Sequence, residues 1–158
     1  MKKIFIAIGI VVLFLVGGKW WSNSLEIKQL KSEGVPASEI ISQNGIHIHP
    51  QIEIYIGGKK QDILANIGIG SQYASLPTYD MSRGMTAMHT HDRDGVIHIE
   101  SSGIVTKDDT KLSTFFRIWG KDFMGFGSSV SLIVNEEINT DLENYEMEDG
   151  DKIVLMYE

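Results

Sequence analysis

The sequence predicts an α+β domain in which short strands surround one amphipathic helix, and three observations carry that reading. Between Ile46 and Ile56, isoleucines alternate with polar residues. Ile46, Ile48, Ile52, Ile54 and Ile56 share one face, and His47, His49, Gln51, Glu53 and Tyr55 the other. This is the period-2 signature of a half-buried strand. Leu112, Phe115, Phe116 and Trp119 recur at helical spacing and form one apolar stripe. Turn signals separate the remaining apolar runs, at Gly57-Gly58, Asp92-Arg93-Asp94-Gly95 and Glu148-Asp149-Gly150-Asp151.

Taken in order, Met1-Lys2-Lys3 precedes an unbroken apolar run from Ile4 to Gly18, followed by Lys19-Trp20-Trp21. A basic start, an apolar segment of about 15 residues and two tryptophans at its far end fit a single-pass membrane anchor over residues 1–21. A cleaved signal peptide is the alternative, although no small-x-small site follows the run. Lys2 and Lys3 stay cytoplasmic, which places the rest of the chain outside the cytoplasm. Residues 22–44 are polar and broken by Gly34 and Pro36, which suits a stalk. Leu25, Ile27 and Leu30 can line one side of a short helix there, as can Ile40 and Ile41 in a second. The extracytoplasmic domain then spans 45–158.

Within it, Gly57-Gly58 supplies a two-residue hairpin turn, and the chain returns as a strand from Lys59 to about Ile67. Residues 68–87 are rich in Gly, Ser, Tyr and Met and lack periodicity, as in a long functional loop. Asp92–Gly95 predicts the turn of a second hairpin. The helix follows, capped by Asp109, Thr110 or Ser113 and ended by Gly120, with Phe115, Phe116 and Trp119 expected against Ile52, Ile54 and Ile97. Val130, Leu132 and Val134 mark a strand, Asn135-Glu136 a turn, and Lys152–Tyr157 the last strand.

The chain has 158 residues, which leaves one domain of about 110 residues after the anchor and stalk, enough for a single core. A net charge of −7 lacks the basic stripe of a nucleic-acid binder. With no cysteine, thiolate metal sites, disulfides and a cysteine nucleophile are excluded. Any metal must be held by histidine, carboxylate or methionine.

The five histidines fall in two short clusters, His47-Ile48-His49-Pro50 and the stretch from His89-Thr90-His91 to His98. Imidazole is the commonest protein metal ligand because it offers a neutral nitrogen near pH 7. If Asp92–Gly95 form a four-residue loop, His89 pairs with His98 and His91 with Val96. Side-chain alternation then places His89, His91 and His98 on one face. A register change of one residue would send His98 to the other face. His47 and His49 lie on the polar face of the first strand, so the ligand set forms either one site or two. Asp92, Asp94 and Glu100 are available to orient the imidazoles. Copper and zinc both suit this donor set. Met81, Met85 and Met88 tilt the choice slightly to copper, because thioethers are soft ligands.

Two other function classes compete with metal binding. Three histidines with an open position are the layout of a catalytic zinc site, with Asp92, Asp94 or Glu100 as base. A cupin-type oxygenase is a weaker enzyme reading: Gly84 followed by His89-Thr90-His91 faintly echoes its first motif, but Asp94, Gly95 and Val96 stand where that motif wants a glutamate. A protein-interaction module would keep its binding after all five histidines were changed to alanine.

The element order, and above all Leu142-Glu143-Asn144-Tyr145 followed by Glu148-Asp149-Gly150-Asp151-Lys152-Ile153-Val154-Leu155, resembles a β-grasp (ubiquitin-like) domain over about residues 46–158. The resemblance implies a mixed sheet crossed by one helix, with the histidine-bearing hairpin as an insertion. Sulfur carriers and conjugators of that fold end in Gly-Gly, whereas this chain ends Met156-Tyr157-Glu158, so no conjugation role is expected. More narrowly, His47-Ile48-His49-Pro50, Ala65-Asn66-Ile67-Gly68-Ile69, His89-Thr90-His91-Asp92, Gly95–Ser101 and Phe115-Phe116-Arg117-Ile118-Trp119-Gly120-Lys121 look like an uncharacterised family of membrane-anchored prokaryotic proteins. That family carries a Thr-Leu-Gly-Asp step where this chain reads Lys111-Leu112-Ser113-Thr114, which alters the helix cap but not the histidine set. The resemblance implies an anchored topology and assigns no activity.

Overall fold

A computed structural model describes residues 36–158. The expected anchor and residues 22–35 of the expected stalk lie outside the described residues, among which no helix is long and apolar enough to cross a membrane. In chain order the strands are β1 (Ile40–Ser42), β2 (Ile46–Ile48), β3 (Gln51–Ile56), β4 (Lys59–Gln61), β5 (Tyr79–Asp80) and β6 (Met85–Thr86). They continue with β7 (Met88–His89), β8 (His98–Ser101), β9 (Val105–Thr106), β10 (Val130–Val134), β11 (Glu137–Asn139) and β12 (Lys152–Tyr157). One α-helix, α1 (Leu112–Trp119), stands between β9 and β10, so the described domain is α+β.

The main sheet has five strands in the order β11-β10-β12-β3-β4, with β12 parallel to β3 and every other pair antiparallel. Its register aligns Leu132 with Leu155 and Ile54, and Val134 with Ile153 and Ile52. All six are buried. α1 places Leu112, Phe115, Phe116 and Ile118 in the same core. The helical stripe therefore closes the isoleucine face of the first strand, as the two periodicities require. Trp119, expected to be buried with Phe115 and Phe116, is only partly buried and packs against the core from the helix end, while Ile118 is buried within it. The helix cap also differs from expectation. Thr106 and Asp109 form a capping box on the short 3-10 segment Lys107–Thr110, while Lys111 at the start of α1 gives no side-chain cap. Gly120 ends the helix, its N–H meeting the carbonyls of Phe116 and Arg117.

The first strand is not continuous over 46–56. It breaks at His49-Pro50, where proline has no N–H to give to a ladder. Gln51 N–H turns to Asp151 O at 2.8 Å and starts the pairing of β3 with β12. On its other edge the same stretch runs antiparallel to 95–101 in one register, from Ile46↔Ser101 and Ile48↔Ile99 to Gln51↔Val96. It thereby belongs to the main sheet and to a three-stranded sheet, β2-β8-β7. Gly95 is required at the crossing: with φ 80° its carbonyl accepts Ile52 N–H at 2.9 Å, and a Cβ there would collide with the Ile52 carbonyl.

The return strand after Gly57-Gly58 ends at Gln61 rather than near Ile67. Residues 64–67 bind Thr90 instead, through Asn66 N–H to Thr90 O, Thr90 N–H to Ile67 O, and the Thr90 hydroxyl to Leu64 O. The long loop 68–87 is folded, with β5 paired to β6 and an Ile69↔Met85 bridge. Ile40 and Ile41, read as helix candidates within the stalk, lie in β1, which pairs with β9.

Candidate metal centre

The three-stranded sheet brings the two histidine clusters together. β7 and β8 align His89 with His98, as the four-residue loop predicts. On the other flank, β2 aligns His47 with Glu100, and the same register sets His49 opposite His98. His49, His98 and His89 thus form a row across the sheet, on the face away from Ile48, Ile97 and Ile99. Ring centroids are 4.7 Å apart for His49 and His98 and 5.5 Å for His98 and His89. His47 adjoins His49 at 4.6 Å. His91 does not pair with Val96, which bridges Gln51 instead. The bonds between Thr90 and residues 64–67 draw the chain off β8 after His89. His91 nonetheless folds back, with its ring 4.6 Å from His98 and 4.8 Å from His89.

The chemistry of His89 is set by its surroundings. Its side chain is buried, at 1% exposure, and burial pushes its pKa down to about 4, so the ring is neutral at pH 7. Nδ1 lies 3.0 Å from Thr86 O. A carbonyl only accepts, so Nδ1 carries the proton and Nε2 presents its lone pair. That lone pair faces Nε2 of His91 at 3.2 Å. Two nitrogens about 2.0–2.1 Å from one tetrahedral ion would stand about 3.3 Å apart, so this pair already has ligand spacing. A backbone carbonyl fixing the tautomer of an imidazole is also the usual outer-shell arrangement of a ligating histidine.

Two sets of donors meet the spacing a metal needs. His89, His91 and His98 form one, and His47, His49, His98 and Glu100 the other, each with ligand atoms within 4.8 Å of one another. His98 belongs to both. Burial, then the neighbouring His91 and His49, lower its pKa. Its Nδ1 is buried without a hydrogen-bond partner among the described residues and lies 3.7 Å from Glu100 Oε1. Glu100 Oε1 is in turn 3.3 Å from His47 Nε2. A hydrogen bond from Arg83 lowers the Glu100 pKa and holds the carboxylate ionised beside the imidazoles.

Glu100 was legible from its alternation with His98. Two further contributors were not. Arg83 comes from the aperiodic loop, and Asp149, read only as a turn residue, accepts His49 N–H at 2.8 Å and lies 3.8 Å from His49 Nδ1. Other expected participants stand elsewhere. Asp94 accepts Val96 N–H and so braces the loop. Met88 is buried in the core, turned from the histidines by strand alternation, and Met81 is 79% exposed. Neither thioether argues for copper over zinc.

No protein-family model, curated protein or solved structure matches this chain.

Proposed function

We propose that this chain is a membrane-anchored, extracytoplasmic domain that binds a transition-metal ion, copper or zinc, through its clustered histidines. The observation that carries the reading is the His89–His91 pair, a neutral, oriented imidazole whose unprotonated Nε2 sits within hydrogen-bond distance, 3.2 Å, of Nε2 of a second one. Hydrated surface histidines have no reason to adopt a fixed tautomer, bury one ring and converge with three more. Isothermal titration of Cu(II) and Zn(II) into the full-length chain, purified without a histidine tag, tests it. His89→Ala should weaken binding by more than the roughly 10–100-fold typical of losing an outer-shell partner. Equal affinity in wild type and variant would remove the basis for the site.

The β-grasp assignment belongs to the same proposal. The main-sheet order β11-β10-β12-β3-β4, with β12 and β3 parallel and one helix in the chain between β4 and β10, supports it. The anchored topology rests on Met1–Trp21 and on the family resemblance. Full-length protein should stay in the membrane fraction after carbonate washing, and a mature N-terminus near Ser22 by mass spectrometry would replace the anchor with a cleaved signal.

A further inference from the structure

The donors on this face outnumber what one ion can use. Five imidazoles and a carboxylate make six candidate ligands, whereas zinc sites are almost always four-coordinate. Nor are they scattered. β8 runs between β2 and β7, so His47 and His49 approach His98 from one flank and His89 from the other. His98 is the one residue common to both sets. Its Nδ1, buried and unpartnered among the described residues, lies toward Glu100, which itself reaches His47. A buried ring nitrogen without a partner is uncommon and asks for an explanation; an ion shared with Glu100 supplies one.

We propose that the histidine face holds two ions joined through the ring of His98. An inner ion sits on His89, His91 and His98, and an outer ion on His47, His49, Glu100 and His98. This extends the metal-binding reading and depends on it. Coordination through both ring nitrogens takes His98 as imidazolate, its remaining N–H proton passing to solvent. The two positions differ in access. The side chain of His47 is 64% exposed, whereas His89 is 1% exposed. The outer ion must also share Glu100 with Arg83. The inner position therefore fills first and holds more tightly, and the outer one exchanges with solvent.

Titration of the full-length chain with Cu(II), followed by bound equivalents and by electron paramagnetic resonance, tests this. The signal should grow to one equivalent and then diminish as the second binds, because two Cu(II) ions on one imidazolate couple antiferromagnetically. The double variant His47→Ala, Glu100→Gln should bind a single equivalent with an undiminished signal, with its fold checked by circular dichroism. His98→Ala should abolish the coupled state at any loading. One equivalent in wild type overturns the two-ion proposal while leaving metal binding intact. Two equivalents with a full, uncoupled signal overturn the shared ring. No binding at all overturns the underlying metal reading as well.

Discussion

His89 is the residue at which fold and chemistry are most tightly joined. Its neutrality in the folded chain follows from burial, with a pKa of about 4, whereas in the unfolded chain it titrates near 6.5. Between those values the unfolded state binds a proton that the native state refuses, so stability is lost as the pH is lowered through this window. The metal-free protein should keep full stability above about pH 6.5 and lose roughly 1–3 kcal/mol by pH 4 from this group. Urea unfolding at pH 7.5 and pH 4.5 measures the loss, and His89→Gln should remove most of it. An unchanged pH slope in the variant would mean that the destabilisation comes from other groups. The lowered pKa of His98 acts in the same direction, so a smaller slope should remain.

At the level of elements, what the sequence revealed was set by periodicity and what it concealed was set by pairing. Alternation around Ile52, Ile97 and His98 fixed which side chains face the core and which face outward, and helical spacing identified Phe115 and Phe116. Periodicity carries no partner information, however. The switch of Thr90 to residues 64–67, the dual pairing of the 46–56 stretch and the approach of Arg83 to Glu100 all join segments far apart in the chain. Burial depth at a helix end was likewise invisible, which is why Trp119 looked like Phe115 in sequence. The structure separates them: Phe115 is fully buried, and Trp119 packs from the rim. Phe115→Ala should therefore cost about 3–5 kcal/mol, as for large aromatic core residues, and Trp119→Ala clearly less. Chemical denaturation of both variants measures the difference, and the reverse ranking would place the helix differently on the sheet.

For the whole molecule, the histidine face sits where two sheets meet. β2 leads through His49-Pro50 directly into β3, which pairs with the central strand β12 of the main sheet, and Gly95 ties the start of the other arm to Ile52. Ligands on β2, β7, β8 and the loop after β7 would pin the small sheet closed, and the shared 46–56 stretch would transmit that constraint to the core. An ion bound only by the folded form stabilises it by about 2.7 kcal/mol when free ion is 100-fold above its dissociation constant. For a domain of this size that corresponds to a rise in melting temperature of about 10 °C. Hydrogen exchange should show where the stabilisation goes. Amides of β2, β7 and β8 should slow with those of β3 and β12, because the two sheets open together. Protection confined to the loop around His91, with no change in melting temperature at saturating ion, would mean that the metal rides on the surface and the sheets are not coupled through it.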